Sequence, residues 1–430
     1  MRTDDLDYHL PESLIAQRPA ERRDAARLMV VPPAPPSDPV GSQAVDHRVV
    51  ADLPFLLQRG DLLVINDTRV IPARFFARRA LTGGRVEGLY LESDERGLWH
   101  VMLRSGGRLR RGESILVGGP APDDAGDAED DVEAGADAEA DAGAGIARRG
   151  EPLGEARGEA LGEWGFEAEL VLREALADGT WLVESRGGEE ALGLLERVGS
   201  MPLPPYIQRR RNDVGGDAGA GAGSGSGADR RAAEQDAADR LRYQTVYADR
   251  PGSVAAPTAG LHFTDDLFAA LEARGVEVAR LTLHVGMGTF APVRSATLDE
   301  HPMHSERFEV PASTIAALRR ARAERRPIIP VGTTSVRALE SLPEPLPASS
   351  ASPGGGEGWR GATDLLIKPG FEFRFTDGLF TNFHLPRSTL IALVAAKTGL
   401  NRLLELYQVA ITQRYRFYSY GDAMLIQPPR

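Results

Sequence analysis

Between Leu281 and Glu306 the chain places three histidines, two closely spaced glycines and a carboxylate. They fall in Leu281-Thr282-Leu283-His284-Val285-Gly286-Met287-Gly288-Thr289-Phe290 and in His301-Pro302-Met303-His304-Ser305-Glu306. Imidazole titrates near neutral pH, so such a segment suits general acid/base chemistry. Val276 to Leu283 reads as a strand, and Gly286 and Gly288 then allow a sharp turn or a close approach of backbone to a ligand. Ligands of open α/β sheets bind just beyond the carboxyl ends of strands. His284 falls at such an end. A metal site built from His301, His304 and Glu306 is the competing reading. Their spacing matches no helical zinc motif and the chain has no Cys, so no metal is expected. Acid/base work by His304 or Glu306 is favoured, with His301 only orienting a neighbour.

Other segments carry related chemistry. Gly332-Thr333-Thr334-Ser335 follows the apolar run Pro327 to Val331 and opens a helix. Its free N–H groups suit a carboxylate or phosphate, unless Thr334 or Ser335 simply caps the helix. The turn lacks the Gly-Lys pair of a phosphate-binding P-loop, and no Gly-x-Gly-x-x-Gly follows the first strand, so no dinucleotide fingerprint is present. Val254 to Phe263 is rich in small residues that let a flat ligand approach; it ends at His262, with Thr264 or Asp265 capping the next helix. Arg414 to Asp422 interleaves cations with aromatics, which suits stacking on bases or a core segment with snorkelling arginines equally well. Gln208-Arg209-Arg210-Arg211 is a weaker basic run.

These residues require elements to hold them. Asp61 to Ile65 runs into Asn66-Asp67-Thr68, and Gly378 to Thr381 runs into Asn382-Phe383-His384. With the strands before His284 and Gly332, four strand ends are expected to converge on one site. Strands alternating with helices predict an α/β layered domain with a mostly parallel sheet. From Arg69 to Val183, six short alternating runs separated by Gly-rich turns predict a small antiparallel barrel, closed by a helix from Glu189 to Val198. The organisation expected is α/β over 1–68, an inserted β-barrel domain over 69–200, and α/β again over 201–430.

Two low-complexity tracts, 118–162 and 213–236, are expected to be disordered and dispensable, and a shorter loop lies around 343–358. The formal net charge of −12 is mostly local: ten acidic residues and no Lys or Arg lie between Ala121 and Ala147. The rest is near neutral, which leaves room for basic patches. No apolar run is long enough to span a bilayer, and the acidic N-terminus does not resemble a signal peptide, so a cytoplasmic protein is expected.

Taken together, the blocks Asn66 to Arg74, Tyr243 to Ala248, Ala255 to Phe263, Leu283 to Phe290, His304 to Glu306, Val331 to Arg337, Thr381 to Pro386 and Tyr415 to Ile426 resemble the S-adenosylmethionine:tRNA ribosyltransferase-isomerase family of queuosine biosynthesis. The resemblance covers nearly the whole chain outside the low-complexity tracts. One departure is Ser105-Gly106-Gly107, which replaces part of the family's Pro-Ser-Lys-Arg core.

The resemblance implies an α/β domain interrupted by a β-barrel, acting as a monomer without metal or resident cofactor. It implies transfer and isomerisation of the ribosyl part of S-adenosylmethionine, a consumed co-substrate. The acceptor is 7-aminomethyl-7-deazaguanine at the tRNA wobble position, and the products are epoxyqueuosine-tRNA, adenine and methionine. Such chemistry needs a base for a ribose 5′ proton acidified by the sulfonium and an acid for the departing adenine. It also needs an anion seat for the methionine carboxylate and room for a flat base. His262, His284, His304, His384, Asp67 and Glu306 are the acid/base candidates, led by His284, His304 and His384; the choice among them stays open. Arg337 with Gly332, Thr333 and Thr334 fits the anion seat. Ala255 to Gly260 fits the flat base, and Gly286, Gly288 and Thr289 complete the binding set.

Overall fold

The structure is a computed structural model that describes residues 1–33, 45–118, 165–204, 206–207, 236–286, 288, 293–347 and 358–430. The tracts expected to be disordered lie outside the described residues, apart from Gly118, which ends a strand, and Asp236. The Asp236 carboxylate is ordered, pairing with Arg240 and accepting from the Met201 N–H.

In chain order the first strands are β1 (Arg27–Val31), β2 (Asp46–Val49), β3 (Leu62–Asn66) and β4 (Thr68–Val70). Six more follow: β5 (Arg74–Arg79), β6 (Arg85–Ser93), β7 (Trp99–Ser105), β8 (Ser114–Gly118), β9 (Phe166–Ala175) and β10 (Trp181–Arg186). The last are β11 (Arg250–Ser253), β12 (Glu277–Leu283), β13 (Glu306–Pro311), β14 (Ile328–Pro330), β15 (Gly358–Thr363), β16 (Leu379–Asn382) and β17 (Ala423–Ile426).

Two compact units result: the described residues of Met1–Ala73, Met201–Ala220 and Asp236–Arg430 form one, and Arg74–Ser200 forms the other. Thr68 to Val70 belongs to the first because β4 pairs in parallel with β11.

The larger unit is α/β. Its five-stranded sheet runs β14-β3-β12-β13-β15, with β14, β3 and β12 parallel and β13 and β15 antiparallel extensions. A four-stranded sheet, β16-β17-β1-β2, is parallel only between β17 and β1. Alternation along the strands sends neighbouring apolar residues into different cores. Leu63 and Ile65 of β3 face the same core as Leu28, Val30 and Leu425 of the second sheet. Leu62 and Val64 face the opposite way, against Leu281, Leu318 and Leu339. Met29, Met424 and Ile426 pack with the helices Thr389–Thr398 and Leu400–Thr412. A strand buried on both faces must be apolar throughout, which is why Leu62 to Ile65 shows no alternation in sequence.

The smaller unit closes β10-β7-β6-β5-β8-β9 into an antiparallel barrel, using all six runs expected from sequence. Gly88 is required by packing: a Cβ there would stand 2.1 Å from the Phe75 ring. The helix Ala191–Val198 buries Leu194, Leu195 and Val198. Among the described residues no helix is long and apolar enough to cross a membrane.

Candidate active site

The carboxyl ends of β3, β12 and β14 lie side by side, and Asn66 ties the first two together. Its Nδ2 donates to the Leu283 carbonyl and its Oδ1 accepts from the Leu283 N–H, both at 3.0 Å. The fourth strand end belongs to the other sheet. A parallel bridge between Val331 and Phe380, with the Gly332 N–H on the Phe380 carbonyl (2.7 Å), brings the end of β16 beside that of β14.

His284 extends from β12 and is half buried. Its Nδ1 lies 3.0 Å from Thr68 Oγ1, which lies 2.8 Å from Ser253 Oγ; that hydroxyl accepts the Val285 N–H at 2.8 Å. This chain fixes the ring and leaves Nε2 on its opposite edge. Burial lowers the His284 pKa and the Arg307 cation lowers it further. Both effects favour the neutral ring, the state a base requires. Thr68 and Ser253 were not singled out from sequence. Their partner lies far along the chain, so no local pattern marks them.

The other histidines differ. His304 is exposed, and its ring covers Gly288, where a Cβ would stand 2.2 Å from His304 Cδ2. His304, His301, Gly288, Glu306 and Arg337 line an open cleft of about 480 Å³ whose opposite wall is Leu365, Leu366, Ile367, Leu390 and Leu393. His262 is buried, and its Nε2 accepts from Asn382 Nδ2 at 3.0 Å; burial and the Arg416 cation bring its pKa down to about 4. His384 is enclosed, its Nε2 2.8 Å from Thr381 Oγ1 and its backbone held by Tyr407 and Tyr8, and burial brings its pKa down to about 3.

Asp67 is buried, accepts from Thr282 Oγ1 at 2.6 Å, and has a raised pKa because burial outweighs that hydrogen bond. Glu306 and Arg337 form a buried ion pair with each other. Glu306 Oε1 also accepts the Gly286 N–H at 2.9 Å, while Arg337 donates to the Leu365 and Thr363 carbonyls. Two residues placed in separate roles by sequence are thus one structural unit. The Arg337 guanidinium is thus engaged by Glu306 and two backbone carbonyls.

That turn opens the helix Thr333–Glu340, which begins two residues earlier than the start at Ser335 read from sequence. Gly332 is its N-cap, at φ +85°, and no side chain caps the first turn. Capping by Thr334 or Ser335 is therefore not what the structure holds. Thr334 Oγ1 lies 3.4 Å from Asn66 Nδ2, and Ser335 Oγ donates to the Val331 carbonyl at 2.7 Å. The first-turn N–H groups carry the positive end of the helix dipole toward the strand ends.

Gly260 has a packing role: a Cβ there would stand 2.0 Å from the Tyr247 hydroxyl. At Gly286 a Cβ would meet only Glu306 Oε1, at 3.9 Å. Thr264 does cap the helix Asp265–Ala273, accepting from the Leu267 N–H at 3.1 Å. In the tail, Tyr415 and Phe417 are core residues and Arg416 pairs with Asp422, so the core reading of this segment holds over the stacking one. Thr289 and the arginines 209–211 lie outside the described residues. Among the described residues no group of three or more His, Asp or Glu side chains could hold a metal ion.

A family model described as "Queuosine biosynthesis protein" matches residues 3–426. The chain is 44% identical to an S-adenosylmethionine:tRNA ribosyltransferase-isomerase of Methylocella silvestris, over 100% of this chain and 98% of that one. It is 43% identical to a protein of the same name from Rubrobacter xylanophilus, over 99% and 98% of the two chains. A crystal structure of an S-adenosylmethionine tRNA ribosyltransferase from Thermotoga maritima aligns at 30% identity and a TM-score of 0.45, covering 98% of this chain and 100% of its own.

Proposed function

This chain belongs to the queuosine biosynthesis protein family, and from that premise we propose that it is an S-adenosylmethionine:tRNA ribosyltransferase-isomerase. In this reading it moves the ribosyl group of S-adenosylmethionine onto 7-aminomethyl-7-deazaguanine at the tRNA wobble position. Epoxyqueuosine-tRNA, adenine and methionine are the products, and the enzyme works as a cytoplasmic monomer without a resident cofactor. The observation that carries the reading is a hydrogen-bond-oriented His284 at the end of β12, on the edge where the helix Thr333–Glu340 begins without a side-chain cap.

Each requirement of the reaction has a candidate there. His284 Nε2 takes the ribose 5′ proton, with Thr68 and Ser253 keeping the ring in place. Loss of that proton opens the sugar and expels adenine, whose leaving nitrogen needs a proton; His304, exposed beside the cleft, is the candidate acid. The amine of the deazaguanine then bonds to the sugar, methionine leaves, and ring closure forms the epoxycyclopentanediol. The N–H groups at Thr333 and Thr334 receive the methionine carboxylate. His262, His384, Asp67 and the Glu306–Arg337 pair shape the walls, their polar atoms being engaged within the protein. Gly286 and Gly288 flank this edge, where their lack of side chains lets the co-substrate approach.

Incubation with S-adenosylmethionine and tRNA bearing the aminomethyl base tests this reading. Mass spectrometry of the digested tRNA is expected to show the epoxyqueuosine mass, with release of equal adenine and methionine. Unmodified tRNA and no adenine release reject it.

A further inference from the structure

The end of β7 and the connection to β8, Arg104 to Gly112, hold four arginines and no carboxylate. Elsewhere in the barrel, arginines pair across strands: Arg74 with Glu87, Arg173 with Glu184, and Arg186 with Glu169. Arg104, Arg108, Arg110 and Arg111 are all exposed, and none of them forms an ion pair among the described residues. The adjoining acid, Glu113, is neutralised from beneath. Arg79 donates to both of its oxygens, and this partner holds the Glu113 carboxyl below the usual carboxylate range. Glu113 also accepts the Arg110 N–H at 3.1 Å, and Arg79 Nη2 donates to the Arg108 carbonyl at 2.7 Å. A nearly buried ion pair therefore sets the backbone of the loop while its own charges cancel.

What remains is a fixed loop presenting four guanidinium groups in a chain of net charge −12. Like charges held close repel, and an anionic partner relieves that repulsion. Guanidinium matches the geometry of phosphate oxygens, two hydrogen bonds at a time. The loop carries no aromatic side chain, so it offers nothing for a base to stack on and is suited to backbone contacts that read no sequence.

We propose that the loop Arg104 to Gly112 at the barrel end binds the phosphate backbone of the substrate tRNA. This deepens the function proposed above and rests on it. Replacing the arginines by Gln (Arg104→Gln, Arg108→Gln, Arg110→Gln and Arg111→Gln together) removes the charges from exposed positions. A matched control, Arg173→Gln with Arg186→Gln, removes barrel charges that are already paired.

Binding of unmodified tRNA is read by fluorescence anisotropy across a salt series, with circular dichroism confirming the fold. Each lost phosphate contact lowers the slope of log K against log salt by roughly 0.7–0.9. The quadruple variant is thus expected to lose about three from the slope and at least about tenfold in affinity at low salt. Its KM for S-adenosylmethionine stays unchanged, and the control variant behaves as wild type. An unchanged slope in the quadruple variant, or an equal loss in the control, overturns the proposal while leaving the enzymatic reading intact. Wild-type protein that binds no tRNA overturns both. Loss of binding to phosphatidylserine vesicles, with tRNA binding unaltered, assigns the loop to a membrane surface instead and also overturns it.

Discussion

The end of β12 and the end of β16 each carry a histidine just beyond a buried strand, and the two are built differently. At β12, His284 is half buried, held at Nδ1 by Thr68 and followed two residues later by Gly286. At β16, His384 is enclosed, with Nε2 on Thr381 and its backbone clasped by Tyr407 and Tyr8. Burial lowers the pKa of both rings. A depressed pKa is therefore no mark of function by itself. Access and a fixed orientation separate a ring that can meet a substrate from one that braces a core.

The largest expected effect tests that distinction directly. General acid/base residues contribute on the order of a hundred- to ten-thousand-fold in rate. His284→Ala should lower turnover by that order while S-adenosylmethionine still binds, and exchange of the ribose 5′ hydrogens with deuterated solvent should disappear. His384→Ala should unfold at lower temperature yet retain exchange per folded molecule. Exchange lost in the His384 variant and kept in the His284 variant would reverse the assignment.

Next in size is the ion pair beside the β12 end. Removing one partner of a buried pair leaves an uncompensated charge and costs about 3–5 kcal/mol. Arg337→Ala should therefore lower the denaturation midpoint well beyond the effect of an exposed arginine such as Arg173→Ala. Equal midpoints would show that Glu306 and Arg337 are not coupled in solution.

The β16 side should dominate the acid limb of stability. The pKa of His384 falls from 6.5 to about 3 and that of His262 from 6.5 to about 4. Both rings stay neutral in the fold while the unfolded chain takes up protons below pH 6.5. The unfolded state then binds more protons, so stability is full above pH 6.5 and falls as pH drops toward 4. The slope is at most about 1.4 kcal/mol per pH unit for each ring. Denaturant titrations of His384→Gln between pH 7 and 4 should show a shallower slope than wild type; an equal slope assigns the acid sensitivity elsewhere.

The smallest effect concerns the brace on His284. Thr68→Val removes the hydroxyl that meets both His284 Nδ1 and Ser253 Oγ, each hydrogen bond worth about 1 kcal/mol. Turnover should fall severalfold, with the KM for S-adenosylmethionine nearly unchanged. A variant as active as wild type would show that the β12 ring orients without Thr68.

Much of this was legible in the chain. The six barrel strands were marked by alternation and glycine turns, and β3, β12, β14 and β16 by short apolar runs ending in polar residues, whereas β1 and β17 were not read. Thr264 precedes its helix where an N-cap residue belongs, and it accepts a first-turn N–H. The site was only partly legible, because its chemistry depends on pairs that the sequence separates. Glu306 and Arg337 looked like two independent groups until the fold joined them. Gly260 looked like room for a ligand, and it makes room for Tyr247.

Local order of residues by itself determined the elements, since period, turn chemistry and capping act within a few positions along the chain. It also determined the family, because motif blocks are contiguous. Only the tertiary structure decided which histidine is accessible, which carboxylate is already paired and which aromatics are core. Desolvation, charge pairing and hydrogen bonding act through space at a few ångströms. Thr68, Ser253 and His284 come within that range only once β4, β11 and β12 have been brought together.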